Sequence, residues 1–170
     1  MRLLFKQFAL FASLLVFTVP YSAQSTQRGK PSLSITISAP QTVVKASSPV
    51  KLRITMTNIS NHNVTYYVSS AGRPYDIYVR GTSRKLAPET PAGVRVHPWS
   101  PKYKPFSGGG SVFSGSFQIK PGEKTETEVD LTKEYDLNQP GKYTVQVERR
   151  DPENPKKRLK SNVITLTVTP

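Results

Sequence analysis

Apolar and polar residues alternate with period two along most of the chain, the spacing of side chains that point by turns into a core and out to water. Leu33, Ile35 and Ile37 form the first such set, Val50, Leu52, Ile54 and Met56 the second, Val64, Tyr66 and Val68 the third, and Tyr75, Ile77 and Val79 the fourth. Phe113, Phe117 and Ile119 belong to a fifth, Val129 and Leu131 to a sixth, Tyr143, Val145 and Val147 to a seventh, and Ile164, Leu166 and Val168 to the last. Turn signals separate them: Ala39-Pro40, the polar run 58–63, Ala71-Gly72-Arg73-Pro74, Pro121-Gly122 and Pro140-Gly141. Beyond the N-terminal segment no window carries helical periodicity over ten residues. Many short strands without crossover helices cannot build a parallel sheet. The pattern therefore predicts an all-β fold, an antiparallel immunoglobulin-like β-sandwich of about 7–8 strands.

One turn sharpens that expectation. In Leu137-Asn138-Gln139-Pro140-Gly141-Lys142-Tyr143 an apolar residue precedes a Pro-Gly turn and a Tyr that opens the next strand. That is the order of a tyrosine corner, so Leu137, Pro140 and Gly141 are expected to shape the turn and the Tyr143 hydroxyl to bond backbone a few residues upstream.

The N-terminus is organised differently. Arg2 and Lys6 precede an apolar run from Phe8 to Val19, then Pro20 and Tyr21-Ser22-Ala23 follow. Charge, short apolar stretch and small residues in that order make a signal peptide over residues 1–24, and the run is too short for a membrane-spanning helix. The expected organisation is a short flexible segment at 25–31 and one sandwich domain at 32–170. The chain holds no Cys, so neither disulfides nor a lipid-bearing Cys after the signal is available. A bacterial protein exported to the periplasm or beyond, without a membrane span after cleavage, is the expectation.

The formal charge is +13, and it is unevenly spread. Residues 25–122 hold thirteen Lys and Arg against Asp76 and Glu89, whereas residues 123–170 hold nine of each sign. Early and late strands interleave in a sandwich, so this asymmetry need not become one basic face. Without a recognition helix or an aromatic ladder the charge points to loose attraction for anionic polymers and to no specific nucleic-acid site.

Residues 81–110 resist the alternating pattern, being rich in Pro and Gly. A loop that long is usually functional or disordered. It carries Arg84, Lys85, Arg95, Lys102 and Lys104 beside His97, Tyr103, Phe106 and Trp99, the only Trp in the chain. These nine residues are the candidate partner-binding loop; the competing reading is that Trp99 and Phe106 fold back to cap the sandwich.

Catalytic chemistry finds little footing. His62 and His97 are the only imidazoles and stand in no Ser-His-Asp pattern, a thiol nucleophile is absent, and two isolated His do not make a zinc site. Glu126, Glu128 and Asp130 recur every second residue, which reads as the wet side of a strand rather than a glycosidase pair. Asp151, Glu153 and Asn154 lie between prolines without the spacing of a calcium loop, and no cofactor motif occurs. The basic run 155–160 reads as a solvated hairpin tip, and the acceptor patterns at Asn58 and Asn63 as features of a polar turn.

Two stretches resemble known groups. Residues 52–63, Val68-Ser69-Ser70-Ala71-Gly72-Arg73-Pro74-Tyr75-Asp76-Ile77-Tyr78-Val79, Lys120-Pro121-Gly122-Glu123 and Pro140-Gly141-Lys142-Tyr143-Thr144-Val145 resemble the BsuPI-type intracellular proteinase inhibitor family. That resemblance implies an immunoglobulin-like sandwich whose extended loop occupies a protease cleft. The ending Lys160-Ser161-Asn162-Val163-Ile164-Thr165 through Thr167-Val168-Thr169-Pro170 resembles uncharacterised secreted bacterial immunoglobulin-like β-sandwich proteins and implies no activity. The leading expectation is a non-catalytic exported module presenting loops to a protein or anionic envelope polymer, with proteinase inhibition as the alternative.

Overall fold

A computed structural model describes residues 30–69, 74–104 and 114–170. Among them ten strands form: β1 (Leu33–Ser38), β2 (Val43–Lys45), β3 (Lys51–Asn58), β4 (Val64–Ser69), β5 (Asp76–Arg80), β6 (Ser114–Ile119), β7 (Lys124–Asp130), β8 (Gly141–Arg150), β9 (Arg158–Lys160) and β10 (Ile164–Thr169). One sheet has the order β1-β3-β7 and a second β2-β10-β8-β5, with β9 beside the far half of β8; β4 and β6 pair as a separate ribbon. The result is the expected immunoglobulin-like β-sandwich. All eight expected sets fall on strands or at their ends, except that Phe113 lies outside the described residues.

Alternation fixes which face each strand buries. Leu33, Ile35 and Ile37 of β1 and Leu52, Ile54 and Met56 of β3 look inward at Ile77 and Val79, Val145 and Val147, and Leu166 and Val168. A one-residue slip would turn any of these rows to water, and each fully buried Leu or Ile contributes roughly 1.5–3 kcal/mol, so register is strongly determined. Phe117 departs from the pattern: it is 50% exposed, while Ile119, two residues on, is fully buried. The Phe117 ring stacks on Tyr66 across the β4–β6 ribbon at 5.6 Å between ring centroids.

Three expectations need correction. β2 pairs with β10 in parallel, so the sandwich is not wholly antiparallel. The basic run 155–160 is not all hairpin tip, since Arg158–Lys160 forms β9 and buries Leu159. Residues 81–104 are not an unstructured loop; they contain a short helix, α1 (Pro91–Val96).

Side chains close the ends and edges. The Tyr143 hydroxyl donates to the Gln139 carbonyl, four residues upstream, at 2.8 Å, over a buried Leu137. Asn58, 1% exposed, donates from its amide to the carbonyls of His62 and Ile119, each at 2.7 Å, and accepts from Ser60. Its nitrogen is thus committed to the turn 58–63 and has no room for a glycan. Asn162 accepts from the Ile37 N–H at 2.8 Å and donates to the Ile37 carbonyl at 3.0 Å, gripping the free edge of β1. Arg149 continues the inward row of β8; it is buried over the rings of Tyr66 and Tyr75, where desolvation lowers the pKa of its guanidinium.

Candidate functional site

The long segment is ordered by a cluster of polar and aromatic contacts against β5 and residues 134–135. The Thr90 hydroxyl accepts from the Gly93 N–H and donates to the Lys133 carbonyl, and Pro91 fits the first helical turn, where its missing N–H costs nothing. Gly93 lies so close to the Glu134 backbone that a Cβ would stand 2.0 Å from its carbonyl oxygen. That close approach admits only Gly there. It brings the end of α1 over Glu134.

His97 then enters the interior at 2% exposure. Its Nδ1 lies 2.6 Å from Glu89 Oε1 and its Nε2 3.2 Å from Glu134 Oε2, while the Ser100 hydroxyl donates to the other Glu89 oxygen at 2.6 Å. A neutral imidazole has one N–H and a carboxylate has none. Hydrogen-bonding on both sides therefore calls for an imidazolium or one protonated carboxyl. Trp99 stacks on His97 at 4.5 Å and on Tyr78 of β5 at 5.2 Å, and His97 also meets Tyr135, whose hydroxyl donates to the Ile77 carbonyl. Ser100 is buried and bonds to Glu89 rather than to His97, so the set does not present a nucleophile to solvent.

The eight described residues of the expected loop site do not form one patch. The placement of His97 on a partner-facing loop is corrected by its burial, and Trp99 is half-buried in the stack that caps β5. Arg95, Lys102 and Lys104 are exposed, Tyr103 is half-buried, and Phe106 lies outside the described residues. Lys85 borders a cleft with Pro140, Gly141 and Tyr143. Arg84 turns the other way and joins a different surface.

That surface is the outer face of the β10-β8-β5 sheet, which holds a concavity of about 680 Å³. Tyr78 and Arg80 project from β5, Lys142, Thr144 and Gln146 from β8, and Thr165 from β10, with Val163 and the 81–84 turn closing the sides. Register sets Arg80 opposite Thr144 and Thr144 opposite Thr165, while Tyr78 faces Gln146. The turn is held by a hydrogen bond from the Arg84 N–H to the Gly81 carbonyl, and Arg84 adopts φ 60°. The Arg80 guanidinium donates to the Arg84 carbonyl at 3.2 Å, tying the Arg80 cation to the turn that carries Arg84.

No carboxylate lines this concavity, and among the described residues Arg80, Arg84 and Lys142 form no ion pair. The acids of the same face lie at its other end. Arg158 bonds Asp76 at 2.8 Å and Glu148 at 3.3 Å, and Lys160 bonds Glu148 at 2.9 Å. Burial, followed by the nearby Asp76 carboxylate, pushes the Tyr78 phenol up, so it remains a neutral donor at ordinary pH. Tyr78, Arg80, Lys142, Thr144, Gln146 and Thr165 are not singled out by sequence reasoning. Their only signal is membership of the polar half of alternating strands, which becomes a site once β5 pairs with β8.

The molecule is thus an all-β sandwich with one sheet face left cationic. No family model and no curated protein matches the chain. Among solved structures it is similar to the CARDB domain of the PF1109 protein from Pyrococcus furiosus, solved in complex with di-metal ions. Identity there is 15%, over 81% of this chain and 93% of that one, with a TM-score of 0.45. It is also similar to a part of Pseudomonas fluorescens alkylpurine DNA glycosylase AlkC, at 14% identity over 82% of this chain and 31% of that one, with a TM-score of 0.43. A part of Listeria innocua beta-glucosidase matches at 11% identity over 81% and 16%, with a TM-score of 0.42. Likeness this distant carries no activity to this chain, and these matches lend no support to the BsuPI-type resemblance.

Proposed function

We propose that this protein is a non-catalytic exported module that holds an anionic polymer on the outer face of its β10-β8-β5 sheet. The observation that carries the reading is the concavity bordered by Arg80, Arg84 and Lys142 with no acid in its lining. Fixed like charges around a hollow raise the local concentration of a polyanion and bind it by releasing its counterions. The buried His97 cluster supports the non-catalytic reading, because its groups are spent on anchoring residues 89–100. Proteinase inhibition would need a loop standing free to enter a cleft, whereas α1 and Trp99 lie folded onto the sandwich.

The test is retention on heparin as a function of salt. Replacing Arg80, Arg84 and Lys142 together by Gln should lower the slope of log affinity against log salt by up to about three, roughly one for each cation removed. Lys51→Gln with Arg53→Gln, on the opposite sheet, should leave the slope unchanged. Equal losses from both sets of substitutions would mean that net charge, not this face, does the binding.

A further inference from the structure

We infer that the polymer this face takes is an acidic polysaccharide, a chain that brings hydroxyl donors as well as spaced anionic groups; this rests on the reading of the face as a polyanion site. The cations are sparse and interleaved with neutral hydrogen-bonding residues. Arg80, Thr144 and Thr165 follow one another across three strands, and strands lie about 4.8 Å apart, so a hydroxyl-rich strip extends away from the cationic rim.

The orientation of these neutral groups decides what they can bind. The Gln146 amide donates one N–H to the Ser161 carbonyl at 3.2 Å, which leaves its Oε1 as an acceptor and its second N–H as a donor. The Thr144 hydroxyl donates to the Arg80 carbonyl at 3.5 Å, leaving its lone pairs to accept. The strip therefore offers acceptors beside cationic donors. A phosphate polymer brings no donor to satisfy them, whereas sugar hydroxyls bring both donors and acceptors. Val163, 55% exposed, supplies an apolar patch of the kind that meets the C–H face of a sugar ring. Single-stranded nucleic acid is less well matched. It binds through aromatic platforms, and Tyr78, the aromatic residue of the lining, is already stacked with Trp99.

Calorimetric titration of the full mature chain with polygalacturonate, polyphosphate and an oligodeoxythymidine separates these ligands. Gln146→Met keeps the length of the side chain and removes the amide. It should weaken polygalacturonate about tenfold, the effect of one sugar hydroxyl left without its acceptor, and shift polyphosphate by less than about twofold. Thr165→Val serves as an independent variant on the neighbouring strand, and should show the same selective loss at smaller size. Circular dichroism melting of each variant establishes that it is folded. Equal effects of both variants on the two polymers, no effect on polygalacturonate, or tighter binding of oligodeoxythymidine than of polygalacturonate would overturn the assignment to a polysaccharide while leaving a polyanion face standing. Failure of every polymer to bind the wild type would remove the polyanion reading itself.

Discussion

The outer faces of the two sheets make an instructive pair. On the β1-β3-β7 sheet the cations of β3 meet acids across a strand boundary: Lys51 lies 3.6 Å from Glu128 and 3.9 Å from Asp130, and Arg53 stands opposite Glu128 in register. On the β10-β8-β5 sheet the same kinds of residue are segregated, with Asp76 and Glu148 matched at one end and Arg80, Arg84 and Lys142 unmatched at the other. Both faces are exposed and polar, yet one is internally neutralised and the other is not.

The largest expected effect breaks the frame on which the cationic face rests. His97→Ala leaves Glu89 and Glu134 facing each other around a cavity, and removing one partner of a buried charged set costs about 3–5 kcal/mol. Urea unfolding should show that loss. A change under about 1 kcal/mol would mean that the cluster does not hold the segment to β5.

Next comes a direct conversion of one face toward the other. Thr144→Glu places a carboxylate between Arg80 and Thr165 and should weaken polyanion binding by about 2 kcal/mol, roughly thirtyfold, with stability nearly unchanged. Undiminished affinity would show that the ligand sits elsewhere. Tyr143→Phe, beneath the Lys142 end of the face, should cost about 1 kcal/mol of stability through the lost bond to Gln139, measured by the urea midpoint. Polyanion affinity should be unaltered.

The smallest effects belong to the neutralised face. Glu128→Gln strips one exposed partner from Lys51 and should change stability by under about 1 kcal/mol, since such pairs are screened. Asp130 is partly buried, which raises its pKa, but hydrogen bonds from the Thr132 hydroxyl and backbone, together with Lys51, outweigh this and leave it lower than usual. A lowered folded value contributes stability above the unfolded carboxylate range of about 4, and that contribution fades as pH falls through the folded value. The stability gap between wild type and Asp130→Asn should therefore close in acid. A gap that persists unchanged to a pH of about 2 would contradict it.

Much of the sandwich was legible because period-two alternation is a local property, and rows such as Leu52, Ile54, Met56 state their own facing. β2 escaped notice because three residues are too few to show a period, and β9 because Arg158 and Lys160 flank its single buried residue, Leu159. α1 is signalled by Thr90 before Pro91, but six residues carry no helical stripe. The face was hidden for a different reason. Arg80 and Lys142 are far apart in sequence and become neighbours through β5–β8 pairing, while the acids of residues 123–130 are carried to the other sheet by β7. The loop residues drew attention by composition, yet a histidine with two distant carboxylates is a packing arrangement that composition does not reveal.

The grip of Asn162 on Ile37 bears on how copies of this chain behave toward one another. The outermost strand of a sheet offers a row of unmet amides and carbonyls to any second strand that drifts alongside, which is how sheets grow from molecule to molecule. By taking both the donor and the acceptor of Ile37, the carboxamide occupies one such docking position from within the same molecule. The edge of β1 is interrupted where an incoming strand would have to continue its ladder. A highly cationic chain at high local concentration is thereby discouraged from polymerising through its own sheet.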